Sequence, residues 1–209
     1  PYLVDSPIAF IFALLVGAKC VYALKNLACG SRSKNGDAEQ SDDAEQERMM
    51  NTEHCILVDE DDNVIGHDSK KNCHLMANGL KLHRAFSVFL FDSKNRLLLQ
   101  KRSLDKITFP DYWANTCCSH PLFVEGEKDG VRGVKNAPRR KLQQELGITP
   151  EQIPLDSMTF LTRVHYRASC KYASKLAMFS CCNIFIYLTT NVATHLGDFY
   201  LFFFSIGDN

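Results

Sequence analysis

The chain lacks an excess of charge of either sign: its 209 residues carry 24 Lys+Arg and 24 Asp+Glu, a formal charge of zero. No global field draws it to nucleic acid or to an acidic membrane, so nucleic acid is excluded as an expected partner. Paired CxxC motifs are missing as well. The nine cysteines are odd in number, and two of them, Cys117 and Cys118, are adjacent beside His120. That usage argues against a disulfide framework and for a reducing compartment, so a cytoplasmic setting is expected. Tryptophan is nearly absent, with Trp113 alone, and no glutamate follows Glu151. An unbroken apolar run of membrane-spanning length is also wanting. Ile8 to Leu24 is apolar but is interrupted by Gly17 and Lys19, and a span usually needs about 20 apolar residues. This segment, residues 1–29 in all, is a candidate anchor or signal. Membrane association or an organellar address would follow if it is one. The chain starts at Pro1 rather than Met, so a preceding segment is expected.

What is present is sorted along the chain. Residues 30–50 are polar and read as a linker. Between Asp37 and Asp62 the only Lys or Arg is Arg48. A folded α/β domain is expected over residues 51–168. Cys55–Val58 and Val64–Gly66, joined by an acidic turn, read as a hairpin. Ala85–Phe91 is a strong strand, Asp92–Asn95 a turn, and Arg96–Gln100 the return strand. Pro138–Gly147 reads as a helix, with proline in its first turn, glycine at its end, and Leu142 and Leu146 one turn apart. Phe160–Tyr166 reads as a strand. Residues 169–209 form an apolar tail with almost no charge, in which Cys181–Leu188 is a strand candidate and Leu201–Phe204 an apolar run without a partner. A monomer is expected.

The chemistry-bearing residues cluster in the middle. His74, His83 and His120 are three imidazoles suited to Zn²⁺ or another first-row divalent ion if the fold brings them together. A cysteine is both a nucleophile and a proton carrier, and Cys118 lies two residues from His120. Lys70, Arg102 and Lys106 supply positive charge of the kind a diphosphate needs. Glu145 is a carboxylate available to Mg²⁺, which commonly bridges protein carboxylates and substrate phosphates.

Five stretches in order, SKKNCHL (69–75), LHRAFSVFLF (82–91), LQKRS (99–103), KITFP (106–110) and NTCCSHP (115–121), closely resemble type I isopentenyl-diphosphate delta-isomerase, and RRKLQQELG (139–147) continues the likeness. The resemblance covers about Cys55 to Ala168. It implies a Nudix-like α/β/α sandwich with a mixed sheet, its C-terminal part incomplete here. It also implies an allylic 1,3 proton shift that turns isopentenyl diphosphate into dimethylallyl diphosphate. By that likeness Cys118 is one catalytic group, and Tyr166 matches a tyrosine near the second. His74, His83 and His120 hold a divalent metal, Zn²⁺ or Mn²⁺. Lys70, Arg102, Lys106 and Ser119 hold the diphosphate, and Glu145 contacts a Mg²⁺ riding on it.

Two departures shape the alternatives. A Nudix hydrolase needs several glutamates in its signature helix. Here Lys141 and Gln144 stand where two would be, and only Glu145 remains. After the strand ending near Tyr166, the isomerases continue with a Trp-Gly-Glu-His-Glu type motif whose glutamates complete the metal site and partner the cysteine. This chain reads RASCKYASK (167–175) instead. The alternative to an isomerase is therefore an inactive Nudix-like module that binds a diphosphate or a partner protein.

Overall fold

The structure is a computed structural model and describes residues 36–104, 111–169, 177–188 and 201–205, the side chains of 36–43, 166, 168–169, 177–179, 188 and 201–205 excepted. Contacts divide the chain after Gly36, and everything described below, Gly36 itself apart, belongs to the unit that follows. The apolar segment Ile8–Leu24 and Lys106 lie outside the described residues. Among those described, no helix is long and apolar enough to cross a membrane.

The first described element is helix α1 (Gly36–Thr52), where composition predicts a linker. Polarity does not prevent a helix. Ala, Glu, Gln, Arg and Met are good helix formers, and Arg48 pairs with Glu45 at 2.6 Å, three residues apart.

Strands β1 (His54–Val58) and β2 (Val64–Ser69) form the expected hairpin. Asp59 closes its turn, accepting from the backbone N–H groups of Asp61 and Asn63. The short helix α2 (Lys70–His74) follows at once, its start capped by the Ser69 hydroxyl, which accepts from Asn72 N.

Strand β3 (His83–Phe91) is the spine of a mixed sheet. Most of its residues are apolar, and eight of the nine are buried, the pattern of a strand covered on both faces. On one side it runs parallel to β8 (Ala177–Leu188) along its full length, from His83↔Ser180 to Phe91↔Leu188. On the other side its neighbours change. It meets β1 at Leu57↔His83, then β6 (Cys117–Ser119), then β4 (Arg96–Lys101) at Phe91↔Leu97. β6 thus fills the gap left where β4 splays away. The buried Thr116 hydroxyl ties that gap together, donating to Leu98 O at 2.7 Å and accepting from Leu90 N at 2.9 Å. β5 (Trp113–Ala114) extends β4, and β7 (Met158–Ser169) runs antiparallel to β8.

Composition predicts that residues 169–209 stand outside the fold, yet two of their segments are built into the sheet. β8 lies between β3 and β7, and Cys181, Cys182, Ile184, Phe185 and Tyr187 are buried. The apolar run expected to lack a partner is β9 (Leu201–Ser205), paired antiparallel with β4 from Gln100↔Leu201 to Arg96↔Ser205. The strand candidate Cys181–Leu188 is β8 without its first four residues; a low-charge strand buried on both faces shows neither alternation nor helical period, which is why the pattern of the segment does not reveal its place in the sheet.

Helix α3 (Gly130–Leu146) covers one face of the sheet. Val134, Ala137, Leu142 and Leu146 pack there with Phe86, Val88 and Leu90 of β3 and with Phe185 and Tyr187 of β8. The helix starts eight residues before Pro138, which is expected in its first turn and instead sits buried in the interior. Proline there removes one backbone hydrogen bond. Gly147 ends the helix in the left-handed conformation, φ 65°. On the opposite face the short α2 packs against β8, β2 and β1.

A buried ion pair holds the β1–β2 turn to the spine. Arg84, 2% exposed, bonds Asp62 through Nε to Oδ1 and through Nη2 to the carbonyl, both at 2.7 Å. Arg163 of β7 reaches the same carboxylate at 3.0 Å. Removing one partner would leave a buried charge uncompensated. Asp62→Ala is therefore expected to destabilise the chain by about 3–5 kcal/mol, read as a lower urea midpoint; an unchanged midpoint would contradict this role for the ion pair.

Candidate metal and thiol site

Strand alternation decides which side chains meet. On β3 the even-numbered residues Phe86, Val88 and Leu90 face α3, so His83, Ala85 and Ser87 face the other side. Cys118 pairs with Ser87, and His83 with Ser180. His120 continues β6 on the same side as Cys118, while His74 arrives from the end of α2. The site is thus made where β3, β6 and β8 run side by side, away from α3.

The three histidines converge. Their ring centroids are 4.8–5.0 Å apart, and one ligand nitrogen from each lies within 4.8 Å of the others. All three are buried. Two tautomers are fixed by backbone carbonyls, which can only accept. His74 Nδ1 lies 2.6 Å from Lys70 O, and His83 Nδ1 lies 2.8 Å from Lys81 O. Each Nδ1 therefore carries the proton, and each Nε2 offers a lone pair. The Ser180 hydroxyl, 3.4 Å from His83 Nε2, donates to that lone pair. Both ring nitrogens of His120 are buried without a hydrogen-bond partner. Buried polar atoms are normally satisfied, and an unpartnered imidazole facing two lone pairs has the chemistry of a divalent-metal ligand. The residues fit a three-nitrogen metal centre.

Burial holds all three imidazoles neutral, as metal ligation requires. Burial lowers His74 below the usual histidine value. Burial together with the charge of His74 takes His83 down to about 4 from 6.5, and burial with the charges of His83 and His74 puts His120 well below it. The unfolded chain then binds more protons than the folded chain between the two values, so stability rises with pH there. In metal-free protein this stabilisation is complete above about pH 6.5 and is lost as pH falls toward 4. For His83 alone it amounts to about 3 kcal/mol. Urea midpoints of the metal-free chain should fall across that window. His83→Gln should flatten the fall, and an equal slope in the variant would sink the assignment.

Cys118 keeps partial access to solvent and accepts a hydrogen bond from the Ser87 hydroxyl at 3.4 Å; Cys182 donates to the same hydroxyl, also at 3.4 Å. Hydrogen bonding with Cys182 and Ser87, helped by the positive charge of Arg102, pulls the Cys118 thiol down to about 7 against the effect of burial. Cys182 is pushed well above the usual thiol range by its bond with Cys118 and by burial. The two cysteines flank β3 on opposite sides, so their backbones are two strand spacings, about 10 Å, apart. A disulfide needs Cα atoms within about 7 Å, so the pair stays as thiols unless the backbone moves.

The loop bearing Cys118 and His120 is clamped from α3. Arg140 pairs with Glu127 at 2.6 Å and also donates to His120 O at 3.3 Å, while Glu127 accepts from Leu122 N at 2.8 Å.

Other expected site residues are placed differently. Glu145 accepts from Cys117 Sγ at 3.7 Å and Gln100 Nε2 at 3.3 Å and pairs with Lys141 at 3.2 Å. It lies beside Cys117, whose side chain alternates to the α3 face, away from Cys118. Ser119 alternates to that face too. Lys70 is near the histidines, but its ammonium pairs with Glu53 at 2.8 Å. Arg102, half-buried after β4, acts on Cys118 through its charge. Tyr166 sits across from Ser180, in the row that continues to His83. Sequence reasoning missed Ser87, Ser180 and Cys182. For Cys182 the signal available was its place in the strand candidate Cys181–Leu188, and Ser180 lies one residue before that candidate.

Comparison with known proteins defines the class. The NUDIX domain profile matches residues 81–193, and the chain belongs to the Nudix family. That match runs past Ala168 and takes in β8. Within the curated proteins, the chain is 61% identical over 134 residues to "Isopentenyl-diphosphate delta-isomerase idi1" of Aspergillus fumigatus, covering 60% of this chain and 47% of that protein. It is 59% identical over 134 residues to "Isopentenyl-diphosphate delta-isomerase IDI1" of Gibberella zeae, covering 60% and 52%. Against "Isopentenyl-diphosphate delta-isomerase" of Schizosaccharomyces pombe it is 57% identical over 133 residues, covering 60% and 58%. The chain spans about half the length of the curated relatives it matches.

Proposed function

We propose that this chain isomerises isopentenyl diphosphate to dimethylallyl diphosphate. The observation that carries the reading is Cys118: a near-neutral thiol on the same face of the sheet as three convergent imidazoles, in a stretch, NTCCSHP (115–121), that resembles the isomerases and lies inside the NUDIX match. The reaction adds a proton to the terminal methylene carbon and removes one from the carbon two positions away, through a tertiary carbocation-like state. It needs one group to deliver a proton and another to take one. Cys118 Sγ moves a proton at one of these carbons. Ser87, donating to Cys118, orients the sulfur and stabilises its thiolate. Arg102 contributes positive charge for the diphosphate and, with Lys106, is the proposed anchor for it. The buried apolar strands around the site keep water from the cation. When bound, a divalent metal at His74, His83 and His120 supplies fixed positive charge. The proposed ions are Zn²⁺ or Mn²⁺ there and Mg²⁺ on the substrate. The proposed setting is a cytoplasmic monomer.

A second reading is favoured by one observation. Among the described residues, the cluster of metal-ligating groups contains no carboxylate, and Glu145 lies on the other face. A Nudix-like module that binds the diphosphate without turning it over would look this way. Incubating the purified chain with isopentenyl diphosphate, Mg²⁺ and Zn²⁺ separates the two. Dimethylallyl diphosphate is expected. Saturable binding of substrate without product would establish the second reading.

A further inference from the structure

We propose that the metal centre of this chain, whose ligating groups among the described residues include no carboxylate, is closed on its β8 side by Ser180, takes nitrogen-loving ions such as Zn²⁺ and Co²⁺, and discriminates against Mn²⁺ and Mg²⁺. The inference rests on the three-histidine metal reading above and narrows it to one ligand chemistry.

Ser180 is fully buried and occupies the position on β8 directly beside His83. Its hydroxyl is the neighbour of the His83 lone pair, at 3.4 Å. In the parallel ladder the next residue on that face is Cys182, which is turned to Ser87 and Cys118 rather than to the imidazoles. Neither position brings an anion to the cluster. The cations near His120 are balanced elsewhere, Lys70 by Glu53 and Lys141 by Glu145. Among the described residues, a bound ion would therefore meet three neutral nitrogens and a neutral hydroxyl.

Ligand type decides selectivity among such ions. Imidazole suits Zn²⁺, Ni²⁺ and Cu²⁺, whereas Mg²⁺ and Mn²⁺ favour carboxylate, carbonyl and water oxygens. Mn²⁺ lies at the weak end of the divalent order, and Mg²⁺ gives up its water reluctantly. A carboxylate would compensate by charge. A serine cannot.

The test is competitive metal binding to the whole chain, read by equilibrium dialysis and by the visible band of bound Co²⁺. It is run in a His54→Ala background. His54 and His67 present their Nδ1 atoms 3.0 Å apart at the surface and would otherwise add a second imidazole site. One equivalent of Zn²⁺ or Co²⁺ is expected, lost on His120→Ala, with Mn²⁺ weaker by roughly a hundredfold or more. Ser180→Asp, or Ser180→Glu if the shorter side chain fails to reach, should narrow the Zn²⁺/Mn²⁺ gap by roughly 10–100-fold and shift the Co²⁺ band. Mn²⁺ binding as tightly as Zn²⁺ in the unaltered cluster overturns the proposal and leaves the metal reading standing. Binding of neither ion by the folded chain overturns both. The selectivity of unaltered Ser180 is measured first, so a variant that fails to fold does not remove the test.

Discussion

Cys118→Ala is expected to abolish formation of dimethylallyl diphosphate, lowering kcat by about 10²–10⁴-fold while leaving KM nearly unchanged. The split follows from what the sulfur touches. Its partners are Ser87 and Cys182, not a group proposed to hold the diphosphate, so its loss removes an interaction made during proton transfer rather than in binding. Cys118→Ser sharpens the point. The hydroxyl keeps the volume and the Ser87 hydrogen bond, but it cannot reach a charge state comparable to a thiol near 7. It should be nearly as inactive as the alanine variant, and its thermal midpoint should match that of the parent chain. A variant that keeps a third of the parent kcat would remove Cys118 from the chemistry. A tenfold rise in KM with kcat intact would make it a binding residue instead.

Cys118 and the three histidines are legible as site candidates in the amino-acid sequence alone, because the residue types and their order are unusual and local. His83 opens a strand that its own apolar run announces, and His120 lies two residues from Cys118. Their convergence is not legible there, since it depends on β6 filling the gap that β4 leaves beside β3. The same holds for Glu145. The sequence shows a carboxylate about one turn after Leu142 and next to Leu146, but only the helix phase reveals that it shares their side of the sheet, beside Cys117. The polar stretch misleads over its described part because composition reports solubility and not helix propensity, and ten of the 17 residues of α1 are Ala, Glu, Gln, Arg or Met. The tail misleads for the opposite reason. β8 is a central strand buried on both faces, so Cys181–Leu188 is legible as a strand while the face that Ser180 and Cys182 take is not. A parallel neighbour is distant in sequence, and Ser180 is paired with a residue 97 positions earlier.

The position of Cys182 bears on the second proton-transfer group. The proposed reaction needs two such groups, and the sheet supplies one good candidate, Cys118, with a second sulfur across Ser87. A thiol held well above its usual range is a poor base near neutral pH. A carboxylate at the same place would be a better one. Burial and a neighbouring thiolate both raise a carboxyl from its ordinary value of about 4.3 toward neutrality, the range in which a group both takes and releases a proton. The same charge would raise the thiol of Cys118 and favour its protonated form, so one group becomes the acid and the other the base. Cys182→Glu is therefore expected to raise kcat by about 10²-fold or more and to give a bell-shaped pH profile, measured with saturating Zn²⁺ and Mg²⁺. Cys182→Gln, equal in size and without charge, should not. If the folded glutamate variant turns over no faster than the glutamine variant, the second proton-transfer group lies elsewhere, and Tyr166, one strand beyond in the row through Ser180 and His83, is the residue to change next.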